Sequence, residues 1–219
     1  MNKKQGQKNR RKRRPAGSRS RSRKRQERQI TRRTLRFFAM VAAGLVMLVI
    51  VFGVTQSTNK IHRPLSPSVK SYEETILKLS KEYGIEAYVP LVSAVMMQES
   101  HGRGNDPMQA SEGNYNKRFP QKPHGITDPR YSIECGIRQL ADDLEMAGCK
   151  GPTDIEGISL AIQGYNFGDG YIIWALEKDG KYTEDNAAEF AEMMAGKNGM
   201  TGYGDVHYVK HVLRYYPYS

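Results

Sequence analysis

The sequence has little of what most often announces a chemistry. Its 219 residues include two cysteines and one tryptophan, too few thiols for a disulfide framework. If residues 132–147 are helical, the rise of about 1.5 Å per residue puts Cys135 and Cys149 roughly 20 Å apart. A disulfide needs Cα atoms within about 7 Å, so two free thiols are expected. Cys135 lies far in sequence from any histidine, which argues against a cysteine nucleophile. The Walker loop and the dinucleotide fingerprint are both missing, and the Gly-rich stretches FGDG and GYGD read as turns, so no bound cofactor is implied. His207 and His211 have the spacing of two zinc ligands on a helix, but the glutamate of HExxH and an obvious third ligand are lacking, and no metal is expected. No stretch alternates apolar and polar residues as a half-buried strand does. What remains is an all-α fold.

The charge is unevenly placed. Residues 1–36 hold 17 Lys and Arg against a single acid, Glu27, whereas residues 37–219 hold 17 against 22 acids. The net charge of +11 therefore belongs to a basic tail too poor in apolar residues to repay the entropy of ordering. The remainder is mildly acidic.

Residues 37–54 form an uncharged run, FFAMVAAGLVMLVIVFGV, just long enough to cross a hydrocarbon core of about 30 Å as a helix. A cleaved signal peptide has a shorter apolar region of about 7 to 15 residues and a small-x-small site, so an uncleaved anchor is expected. The basic tail places the N-terminus in the cytoplasm and residues 55–219 on the outer side of the membrane. The tail then touches anionic membrane lipid, with nucleic-acid binding the lesser reading. Residues 55–68 read as a linker and residues 69–219 as the folded domain.

Within that domain Val69, Tyr72, Ile76, Leu79 and Tyr83 recur at steps of three and four, which predicts a first helix ending at Gly84. Further helices are predicted over residues 88–100, 132–147 (with Ser132 as N-cap), 154–165, 171–178, 186–194 and 206–216. A polar loop of residues 101–130 separates the second and third. Such length is usually functional or disordered.

One residue breaks the second helix's pattern. Val92, Val95, Met96 and Glu99 fall at i, i+3, i+4 and i+7, so Glu99 lies on an apolar stripe where charge is disfavoured. Desolvation raises the pKa of such a carboxyl, which suits a general acid that protonates a leaving oxygen. The plainer reading is that Glu99 ends its helix in solvent or pairs with Arg103.

The neighbouring residues decide between these readings. Gln98-Glu99-Ser100-His101-Gly102 leads into Asp106-Pro107-Met108-Gln109-Ala110-Ser111-Glu112, and later come Tyr131-Ser132-Ile133-Glu134-Cys135-Gly136-Ile137 and Tyr165-Asn166-Phe167-Gly168. In order and spacing, residues 71–216 resemble the CwlT-like branch of the lysozyme superfamily, related to goose-type lysozymes and soluble lytic transglycosylases. The resemblance implies a lysozyme-like helical domain that cuts peptidoglycan glycan strands between N-acetylmuramic acid and N-acetylglucosamine, with Glu99 as the acid. It also implies Asp106 as a second carboxylate, although Asp before Pro is equally an ordinary turn initiator. Gln109, Ser111, Glu112, Tyr131, Tyr165 and Asn166 are its candidate sugar contacts, with Tyr131 or Tyr203 as an aromatic wall, while Trp174 is expected in the core. Muramidase is the preferred activity. A lytic transglycosylase, in which the substrate's own acetamido group replaces the second carboxylate, and a non-catalytic wall-binding or scaffolding protein are the alternatives.

Overall fold

A computed structural model describes residues 62–219, which fold as α-helices joined by turns and one long loop, with no strand among the described residues. The basic tail and the apolar run 37–54 lie outside them; within them no helix is long and apolar enough to cross a membrane.

The fold begins earlier than expected. Ser66 accepts a hydrogen bond from the Val69 amide and Pro67 occupies the first turn, which starts the short helix α1 (Pro67–Lys70); Pro there costs nothing because its missing N–H has no helical partner. The Ser66 hydroxyl donates to the His101 carbonyl at 2.7 Å, and the Arg63 amide donates to the Arg214 carbonyl at 2.8 Å. Residues 63–68, expected to be linker, are thus stitched to the domain. Helix α2 (Glu73–Glu82) follows a break at Ser71 and Tyr72, so the single first helix expected from the spacing is two.

Helix α3 (Val89–Glu99) departs most from its sequence pattern. Leu91 to Met97 are all buried, on every side of the helix. The expected stripe is a fully enclosed rod against which α1, α2 and α8 (Tyr208–Leu213) pack. Helix α4 (Pro129–Met146) starts three residues before its expected N-cap: Asp128 accepts from the Arg130 and Tyr131 amides, and Pro129 fills the first position. Ser132 is freed from capping for another task. Helix α4 packs on α2 and on α5 (Ile155–Phe167), which Asp154 caps.

Helices α6 (Asp169–Asp179) and α7 (Glu184–Asn198) enclose a smaller aromatic cluster. Phe167 stacks on Phe190 at 5.7 Å, and Tyr171 meets Phe190 edge-on at 5.2 Å; such pairs contribute about 0.5–1.5 kcal/mol beyond burial. Trp174 joins this cluster from its rim, half-buried, rather than filling the main core. Cys135 and Cys149 are both free thiols.

Candidate active site

Glu99 is the last residue of α3, where an apolar rod meets the long loop. Its carboxylate accepts a hydrogen bond from the Tyr208 hydroxyl of α8, and Tyr208 is buried. Burial pushes the Glu99 carboxyl from its ordinary 4.5 up to about 7; the Tyr208 hydrogen bond pulls the other way, and the Asp106 and Asp205 carboxylates push it further up. A group so held keeps a proton near neutrality and can deliver it. Arg103 is exposed and forms no ion pair with Glu99.

Asp106 is not a free second carboxylate. It is 4% exposed, and each oxygen takes two hydrogen bonds: Oδ1 from the Ala110 amide at 2.9 Å and the Ser132 hydroxyl at 2.6 Å, Oδ2 from the Ser111 amide at 3.1 Å and the Ser111 hydroxyl at 2.5 Å. Ser132 lies one turn inside α4, so this carboxylate knots the long loop to that helix. Ser111, 2% exposed, is spent in the same knot, its oxygen also accepting from the Ile126 amide at 2.9 Å. Tyr131, 6% exposed, is likewise internal: its hydroxyl accepts from the Lys117 amide and donates to the Tyr115 carbonyl. The hydroxyls of Ser111 and Tyr131, both expected as sugar contacts, are thus used to shape the loop.

The other candidates converge. Gln109, Glu112, Tyr165 and Asn166 line one cleft of about 530 Å³, together with Gln139 and Tyr203. Glu99 is not on the wall of that cleft, but Tyr165, which is, lies close enough to Glu99 for their charges to interact. Tyr165 donates to the Met108 carbonyl at 2.9 Å, and its own hydroxyl is pushed far above 10 by burial and by the nearby Glu99 carboxylate. Asn166 Oδ1 accepts from the Asp205 amide at 2.7 Å, fixing the loop that carries Asp205. Gln109 holds its backbone at φ 49, an uncommon conformation for a non-glycine residue, and its amide nitrogen donates to the Asp106 carbonyl at 2.9 Å.

This packing requires a glycine at 136. A Cβ there would stand 2.7 Å from Met108 Cβ and 2.8 Å from the Tyr165 hydroxyl. Only a bare α4 backbone lets the loop and α5 close on each other.

Several participants carried no sequence signal. Tyr208 meets Glu99 across 109 residues of chain. Asp205 joins the site from a turn, its carboxylate 2.7 Å from His211 Nδ1; His211 thus has a carboxylate partner, and no metal-holding group of His, Cys, Asp and Glu occurs among the described residues. Asp143 on α4 is fully buried, and burial pushes its carboxyl up to about 8, against the Gln139 hydrogen bond that lowers it.

Comparison with known proteins identifies the family. Residues 66–216 match the family described as Lysozyme-like. The chain is 36% identical over 151 residues to the bifunctional muramidase/DL-endopeptidase CwlT of Bacillus subtilis, covering 69% of this chain and 42% of that protein. It is 37% identical over 127 residues to the uncharacterized membrane protein YocA of the same organism, covering 58% and 52%. The chain thus spans about half the length of these curated relatives. Among solved structures, a Staphylococcus aureus protein described as similar to a lipoprotein of the NLP/P60 family superposes with a TM-score of 0.59 at 29% identity, covering 70% of this chain and 54% of that one.

Proposed function

Because the chain belongs to the lysozyme-like family, in its CwlT-like branch, we propose that it cleaves the glycan strands of peptidoglycan between N-acetylmuramic acid and N-acetylglucosamine, with Glu99 as general acid. The observation that carries this reading is the setting of Glu99: an acid at the end of a helix whose residues 91–97 are all buried, gripped by Tyr208, with its carboxyl pushed up to about 7 so that a proton is available near neutrality. Glu99 gives its proton to the glycosidic oxygen as the bond to the anomeric carbon breaks, and the positive charge on the sugar ring is then quenched by a nucleophile. Gln109, Glu112, Tyr165 and Asn166 are the sugar contacts of this reading. Asp106 acts at a distance, by holding the loop that carries Gln109 and Glu112. The apolar run 37–54 anchors the chain in the cell membrane with the catalytic domain facing the wall.

Muramidase activity is the first reading, in keeping with the muramidase named among the relatives. The saturation of Asp106 favours a second, lytic transglycosylation, in which the substrate's acetamido group stabilises the cation and no free second carboxylate is required. The products discriminate. Mass spectrometry of digested peptidoglycan shows reducing muramic acid ends for a hydrolase and 1,6-anhydro ends for a transglycosylase. Loss of wall turbidity with wild-type chain and none with Glu99→Gln is the expected result; equal clearing by both removes Glu99 as the acid.

A further inference from the structure

Helix α4 carries chemistry that glycan cleavage leaves unused. Arg138, Asp142 and Glu145 stand at i, i+4 and i+7, on one side of the helix. With Tyr83, Tyr88 and Tyr115 they line a second cavity, of about 460 Å³, that contains neither Glu99 nor any of the sugar contacts. The Arg138 guanidinium lies 4.6 Å from the ring centroid of Tyr115 and 5.6 Å from that of Tyr83. The rings hold the cation without neutralising it, and Arg138 forms no ion pair among the described residues. Its fork of N–H donors matches a carboxylate.

The opposite sign is present beside it. Asp142 and Glu145 are both exposed, and Asp142 is positioned by a hydrogen bond from the Tyr115 hydroxyl. Glu145 and Asp169 stand close enough to repel the Asp142 carboxylate, and an ammonium placed among these acids relieves that repulsion. A ligand for this cavity therefore carries both a carboxylate and an ammonium.

Tyr115 identifies which one. It lines this cavity and also the sugar cleft, so the two are neighbours, and the second cavity is within reach of a substituent that projects past Tyr115 from a strand in the cleft. The substituent that peptidoglycan carries on its muramic acid is a short peptide with free carboxylates and, on its diamino acid, a free amine. We propose that this cavity is a subsite for the peptide stem, in which Arg138 pairs with a stem carboxylate and Asp142 and Glu145 receive the diamino-acid ammonium. The subsite rests on the glycan-cleaving reading, and it makes this chain select strands that still bear peptides over bare ones.

The test compares intact peptidoglycan with the same strands stripped of peptide by an amidase, using full chain as wild type, Arg138→Met and Glu99→Gln. Loss of a hydrogen-bonded charge contact lowers kcat/KM on peptide-bearing strands by about tenfold or more in Arg138→Met, mostly through KM, with cleavage of bare strands unchanged. An equal fall on both substrates assigns Arg138 a merely structural role and overturns the subsite, as does no fall on either. Glu99→Gln abolishes cleavage of both substrates if the parent reading holds. Should wild type cleave neither, that reading fails, and the subsite is judged by calorimetry with a synthetic tetrapeptide stem containing γ-linked glutamate and lysine. Binding that weakens both in Arg138→Met and when the lysine amine is acetylated supports it; no binding, or binding indifferent to both changes, overturns it.

Discussion

Replacing Glu99 by glutamine separates stability from activity. The folded carboxyl titrates at about 7 instead of 4.5, so between those values the folded protein holds a proton that the unfolded chain has released. By linkage, wild-type stability then falls as pH rises from about 4.5 to 7 and is level above that. The displacement corresponds to about 3 kcal/mol, which solvent reaching the half-buried carboxyl reduces to about 1–2 kcal/mol. Glutamine carries no charge to desolvate, and its amide oxygen can still accept from Tyr208. Glu99→Gln is therefore expected to match wild type near pH 4 and to exceed it by about 1–2 kcal/mol at pH 8, while glycan cleavage drops by about 10³-fold. Urea unfolding at pH 4, 6 and 8 reads the first quantity and muropeptide release the second. A stability gap that is absent at pH 8, or the same at pH 4 and pH 8, would refute burial as the origin of the raised pKa.

Three other outcomes are expected. Tyr208→Phe removes the hydrogen bond that lowers the Glu99 pKa, so the alkaline limb of the pH–activity profile should move to higher pH; an unmoved limb denies that contact its influence. Gly136→Ala drives a methyl group against Met108 and the Tyr165 hydroxyl, and overpacking of this kind costs about 1–3 kcal/mol, measured as a lower urea midpoint together with reduced cleavage. Asp143, pushed up to about 8 by burial, likewise makes the folded state lose stability as pH rises from about 4 toward 8; Asp143→Asn should flatten that slope, and a wild-type slope surviving in the variant assigns it to other groups.

Helix existence was legible from apolar spacing, as over residues 132–147 and 154–165, which α4 and α5 largely cover. The start of α4 was not. Ser132 and Asp128-Pro129 are both respectable N-terminal signals, and the choice between them depends on Asp106, which recruits the Ser132 hydroxyl from 26 residues away. Asp106 itself shows why residue type underdetermines role: turn initiator, free acid and buried knot all present as Asp before Pro. Glu99 was visible because a charge interrupts an apolar pattern. Tyr208 and Asp205 were invisible because they are neighbours of Glu99 only once α8 has packed on α3, and a tyrosine beside a histidine breaks no pattern at all.

The stitching of residues 63–66 has a mechanical consequence. The Arg63 amide holds the Arg214 carbonyl just beyond α8, while the Ser66 hydroxyl holds the His101 carbonyl just beyond α3. Any pull exerted by the preceding chain is therefore borne first by the two helices that present Tyr208 and Glu99. Tension applied from that side acts across the Tyr208–Glu99 hydrogen bond, so on the proposed reading of Glu99 as the acid it competes directly with the contact that aims it.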